Sequence, residues 1–167
     1  MGHSVAIGTY VLYGKTGVCM VQEKTSIKMG KESAFYYVLS PVSDGRSSVY
    51  VPCDNETLVA RIQPLMTREE IDLLLSDADE ERLDWCDDRN QRMTFYRSVI
   101  NSGDRRLLIR TICCLFRKKH EKQEQGKRLS SMDESTLQEC MRLIDEEFSM
   151  VLNIPRAEVV NYILERL

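Results

Sequence analysis

Little in this sequence suits metal, disulfide or catalytic chemistry. Two histidines occur in 167 residues, and the six cysteines (Cys19, Cys53, Cys86, Cys113, Cys114, Cys140) never form a Cys-x-x-Cys pair. That spacing argues against a zinc ligand set and leaves small thiols among apolar neighbours, as in a reducing compartment. Cys86 is the one expected to be exposed. No apolar run approaches the length of a membrane span and no signal peptide is visible, so a cytoplasmic protein without a membrane partner is expected. There is no Gly-x-Ser-x-Gly elbow, no histidine cluster and no Cys–His signature. The carboxylate pairs Asp87–Asp88 and Glu146–Glu147 read as solvated charge on polar helix faces. The expectation is therefore a non-enzyme with no catalytic residue, no metal, no cofactor and no small-molecule substrate. The opening Met1–Ser4 carries no weight in this reading.

Tryptophan is also scarce. Trp85 is the only one, in the stretch "DWCDDRNQR". It sits on a charge boundary that the whole-chain net charge of −3 conceals. Residues 1–62 are net +1, residues 63–88 net −8, residues 89–129 net +9 and residues 130–167 net −5. An acidic whole chain discourages a nucleic-acid reading, but the local +9 block reopens it.

The two halves differ in periodicity. Over residues 1–62, "TYVLY", "GVCMVQEK", "AFYYVLSP" and "SSVYVP" are rich in β-formers and punctuated by Gly and Pro, which predicts a small antiparallel barrel or strongly bent sheet. Gly8 and "GKTG" mimic a phosphate-binding loop. The intervening five residues are strand-like, though, and another strand rather than a helix follows, so a hairpin turn is the better reading.

From Thr67 the signals turn helical. Thr67 with Glu70, and Ser131 with Glu134, make capping boxes. A helix is expected through Trp85, Met93, Tyr96, Val99 and Ile100, stopped at "NSGD", with Asp104 capping the next. Leu137, Met141, Ile144, Phe148 and Val151 form an amphipathic stripe. Pro155 would occupy the first position of a short last helix. The fold class is thus α+β: a β-rich domain over 1–62, a helical, acidic connector over 63–88, and a helical bundle over 89–167.

The basic block offers the candidate binding chemistry. Arg89, Arg92, Arg105, Arg106, Arg110, Arg117, Lys118, Lys119, Lys122, Lys127 and Arg128 cluster on two helices and the following loop, as phosphate neutralisation requires. The alternative is a solvated face whose cations pair with the acidic flanks. On a helix, Trp85, Arg89 and Arg92 would share one face. The indole then either packs over the bundle under a stacked arginine or stands as an apolar wedge beside phosphate-binding cations.

The segments "IGTYVLYGKTGVCMV", "YYVLSP", "VYVPCDN" and "IQPLMTREEID" resemble the N-terminal RNA-polymerase-interacting domain of the CarD/CdnL family. The run from "INSGDRRLLIRTICCLF" to "DEEFSMVL" resembles that family's helical domain. The resemblance implies a Tudor-like or SH3-like module docking on the β subunit lobe of bacterial RNA polymerase, with Ile27, Lys28, Val49, Tyr50 and Val51 at the polymerase contact. It further implies a helical module meeting promoter DNA at the upstream edge of the bubble, so that the protein stabilises the open complex and associates with the nucleoid through polymerase. The DNA-facing residues would be Trp85, Arg89, Arg92, Arg105, Arg106, Arg117, Lys118 and Lys119. A gapped match puts Trp85 at the family's wedge position, an ungapped one Arg89. The alternative is a protein–protein adaptor with a small β module and no DNA contact; the polymerase-binding module of a repair-coupling factor is a third kin, but no helicase motor is present.

Overall fold

The computed structural model describes residues 5–167; Met1–Ser4 lies outside the described residues. The chain divides into two compact units, one ending at Leu65 and the other beginning at Met66.

The first unit is an antiparallel sheet built from β1 (Tyr10–Tyr13), β2 (Gly17–Met29), β3 (Glu32–Pro41), β4 (Val49–Pro52) and β5 (Ile62–Pro64). "GKT" forms a 3-10 turn between β1 and β2, with Gly14 at φ +47° and Gly17 at φ +91°, so the apparent phosphate loop is a hairpin turn. β2 runs on beyond the sequence expectation to Met29, and a two-residue turn, Gly30 and Lys31, returns the chain to β3. Gly30 at φ +68° supplies the left-handed first position that such a hairpin requires. A bulge between Val21 and Glu23 shifts the register midway.

Strand order is β4-β3-β2-β1-β5, an open sheet. This corrects the barrel expectation, since the two edge strands do not pair with each other. The reason lies in the connection between them. Asn55 caps a helical turn, α1 (Glu56–Val59), by accepting from Leu58 N at 3.1 Å, and Leu58 and Val59 pack onto the core of Val11, Cys19, Val21, Leu39, Val51 and Ile62. Side chains cover that core where a closed barrel would use another strand pair. Each fully buried aliphatic there contributes about 1.5–3 kcal/mol relative to exposure.

The second unit consists of α2 (Arg68–Glu80), α3 (Arg89–Ser102), α4 (Arg105–Glu124), α5 (Ser131–Leu152) and α6 (Arg156–Leu164). The Thr67–Glu70 capping box forms, with both reciprocal bonds made. Gly103, at φ +63°, ends α3, and Asp104 caps α4 by accepting from Arg106 N and Leu107 N. The cap of α5 is one residue earlier than the sequence pattern gave: Ser130 accepts from Asp133 N. Pro155 likewise flanks α6 rather than opening it. Ile71, Leu75, Ile109, Ile112, Leu115, Ile144, Phe148 and Ile163 form a fully buried core. Residues 63–88 are shared out: β5 belongs to the sheet, whereas α2 supplies Ile71, Leu74, Leu75 and Ala78 to the helical core.

Two expectations fail on burial and on periodicity. Glu146 and Glu147 are not solvated but buried, because Arg156 and Arg105 reach them at 2.9 and 2.5 Å. Trp85 is not helical. α2 stops at Glu80, residues 82–88 have no regular structure, and α3 starts only at Arg89 because Asp88 caps it by accepting from Gln91 N at 2.9 Å.

Candidate nucleic-acid interface

The link between α2 and α3 carries Trp85 on the surface of the second unit. Its indole is half-buried and packs against the edge of the helical core. Two cations lie over the ring: the Arg92 guanidinium carbon at 4.4 Å from the centroid and Lys118 Nζ at 5.0 Å. The sequence expectation of a shared helix face is therefore replaced by a stack between a loop tryptophan and residues of α3 and α4. Contacts of this type contribute about 0.5–2 kcal/mol. Beneath the link lies a cavity of about 300 Å³, lined among others by Trp85, Phe95, Tyr96, Thr111 and Cys114.

Arg92 organises this region. Its side chain is almost fully buried, with Nε and Nη2 donating to the two carboxylate oxygens of Asp133 at 3.2 and 3.1 Å. Nη1 donates to the carbonyls of Cys86 and Asp87 at 3.0 and 3.1 Å. A bidentate pair on one edge with two carbonyls on another is the use to which only a planar fork is suited. Burial opposes the Arg92 charge, but the hydrogen bond and attraction of Asp133 outweigh it and raise its pKa above the ordinary value. The neighbouring Tyr96 phenol is pushed up, first by burial and then by the Asp133 charge. Cys86 is half-buried, its thiol 3.5 Å from Gln91 Oε1.

The other predicted cations divide into two groups. Arg105 is held by Glu147 and has little exposed surface. Arg106 pairs with Asp77 at 3.2 Å, Arg110 with Glu81, Lys118 with Glu121 at 3.4 Å and Lys119 with Glu134 at 3.0 Å. Arg117 donates to the Leu83 carbonyl at 3.0 Å. Arg89, by contrast, is exposed at the start of α3 and has no ion pair among the described residues; the same holds for Lys127 and Arg128 in the α4–α5 loop. The +9 block thus meets its acidic flanks, Asp77 and Glu81 on one side and Asp133, Glu134 and Glu147 on the other. Asp133 and Glu147 are the buried partners, each about forty residues along the chain from its arginine, beyond the reach of any local pattern. Their signal was the opposite sign of the flanking blocks, which gives no pairing by itself.

In the first unit, β4 is an edge strand, paired among the described residues only with β3. Tyr50 is half-exposed and Lys28 is exposed, with Ile27 partly so. Val49 and Val51 pack on the core side instead, Val49 partly buried and Val51 1% exposed. Across the β2–β3 ribbon Lys24 Nζ lies 5.6 Å from the Phe35 ring and 5.7 Å from that of Tyr37. Met29 and Phe35 project into solvent nearby.

Among the described residues no cluster of three or more His, Cys, Asp or Glu side chains could hold a metal ion, and no helix is long and apolar enough to cross a membrane. No curated protein matches the chain. Residues 5–66, which span the sheet and end at the boundary of the helical unit, match the family model described as CarD-like/TRCF RID domain. The sheet unit is thus similar to the CarD-like/TRCF RID domain, and the match supports kinship with the CarD-like family over that unit.

Proposed function

We propose that this protein is a transcription regulator that docks through its sheet unit on the β subunit lobe of RNA polymerase and contacts promoter DNA, at the upstream edge of the bubble, through its helical unit. The family match over residues 5–66 carries the reading. The unpaired edge of β4, with Tyr50 beside it, supports it because an extended partner segment can add a strand there. On the DNA side the support is Trp85, half-exposed beneath two cations. An indole lodged against parted bases offsets part of the few kcal/mol that unstacking a step costs. Tethering by polymerase makes the DNA contact intramolecular, so weak affinity for free DNA suffices. The shift from closed to open complex equals the differential affinity for the two states. The protein works in the cytoplasm.

The test is capture of the full chain by a polymerase β-lobe fragment, followed by open-complex lifetime on a weak promoter with Trp85→Ala. Specific capture together with a shortened lifetime is expected. No capture would remove polymerase docking, and an unchanged lifetime would remove the wedge.

A second reading, an adaptor whose helical unit touches no DNA, is favoured by one observation: six of the twelve cations of the basic block are already in internal ion pairs. Capture with no change in lifetime for any helical-unit variant would select it.

A further inference from the structure

Trp85 sits on a segment that has little of its own to hold it. Residues 82–88 form neither helix nor strand, and among the described residues no backbone-to-backbone hydrogen bond fixes residues 82–87. Its packing is partial: the indole rests against the edge of the helical core, and a cleft of about 300 Å³ adjoins the segment. Three carbonyls of residues 82–87 are nevertheless bonded to side chains, and each accepts from an arginine. The Leu83 carbonyl accepts from Arg117 Nη2 at 3.0 Å, on the N-terminal side of the indole. The Cys86 and Asp87 carbonyls accept from Arg92 Nη1 at 3.0 and 3.1 Å, on its C-terminal side. Arg117 comes from α4 and Arg92 from α3. Asp133, fully buried on α5, neutralises Arg92 and takes its other edge, and Ser130 Oγ lies 2.6 Å from the same carboxylate.

We propose that Arg92, Arg117 and Asp133 are positioning residues that fix how far Trp85 is presented to solvent. Two of these were candidate phosphate ligands on sequence grounds; the geometry gives them a different task. A buried guanidinium without its carboxylate is costly, so loss of Asp133 drives Arg92 outward and releases both carbonyls. Loss of Arg117 releases the other end. In either case the indole loses a fixed seat and becomes more accessible. The placement of Trp85 is independent of any partner, whereas its consequence for promoter DNA rests on the function proposed above.

Because Trp85 is the only tryptophan, its emission reports this segment directly. The experiment compares the full chain with Asp133→Asn, Arg117→Met and the control Arg106→Met, which breaks an exposed pair elsewhere on α4. Emission maximum and acrylamide quenching are read beside far-ultraviolet circular dichroism. A shift to longer wavelength with increased quenching in Asp133→Asn and Arg117→Met, at unchanged helical content and with Arg106→Met like the parent, supports the assignment. Should Asp133→Asn unfold, Arg117→Met decides, since that arginine is exposed and its loss leaves no buried charge. Emission and quenching unchanged in the folded variants, or moved equally by Arg106→Met, overturn it. Open-complex lifetime with Trp85→Ala separates the two claims: an unchanged lifetime defeats the wedge while leaving the emission result standing.

Discussion

The two units deploy their polar groups in opposite directions. The sheet leaves equipment outside: an unpaired β4 edge, a half-exposed Tyr50, and Met29 and Phe35 in solvent. The helical unit, which carries the most charged block of the chain, turns much of that charge inward. Arg92, Arg105 and Arg110 are each paired with an acid contributed by a flanking block. A run of like charge in a sequence is thus not the same thing as a patch on a surface. Where oppositely charged blocks lie on either side of it, folding sorts them against each other, and only the leftover cations are available to a polyanion.

The strongest way to break the comparison is to remove an inward cation. Arg105→Ala leaves Glu147 buried without its partner and should destabilise the second unit by about 3–5 kcal/mol at neutral pH, read by urea unfolding. Burial raises the Glu147 pKa and Arg105 lowers it, with burial the larger effect. A carboxyl whose folded pKa lies above its unfolded one costs stability as pH rises through that window. Stability lost in the variant is therefore partly regained as pH falls and Glu147 takes up a proton. A deficit that is small or flat with pH would show that the pair is not the inward anchor described.

On the sheet, Tyr50→Ala should weaken β-lobe capture by about 1–2 kcal/mol, near the scale of a single exposed aromatic contact. Its unfolding midpoint should stay close to the parent's, since surface substitutions usually lie within ~0.5 kcal/mol. Equal loss of stability and capture would mean that Tyr50 belongs to the fold rather than to the contact.

The smallest effect sharpens the charge argument. Arg89→Ala should lower the salt dependence of DNA binding, measured on the polymerase–promoter complex, by about one unit of slope. Arg106→Ala should lower it less, because Asp77 already neutralises that guanidinium. Equal slopes for the two variants would erase the distinction between paired and unpaired cations.

Much of the fold was legible. Alternation and glycine placement identified four strands, and the Thr67–Glu70 box, the Gly103 stop and the Asp104 cap are local signals that survive in the structure. β5 was missed because three residues carry no periodicity, and openness was missed because α1 is nucleated by one Asn55 side-chain bond. The site was less legible. Trp85 was placed correctly beside Arg92 but on the wrong element: the spacing of four and seven fits a helix, yet Asp88 is the better cap and starts the helix after the tryptophan. Arg92 and Asp133 lie 41 residues apart, and no local pattern links them.

The β2–β3 ribbon has a consequence for whatever grips it. From Ser26 to Met29 β2 is paired, among the described residues, with β3 alone, and the Gly30 turn lies at its end. Such a two-stranded projection frays from its tip more readily than the sheet it grows from. A partner seated on Ile27 and Lys28 must therefore stiffen the ribbon as it binds. Affinity there becomes a balance between new contacts and lost motion, and substitutions that merely quieten the tip would tighten the complex without touching the partner.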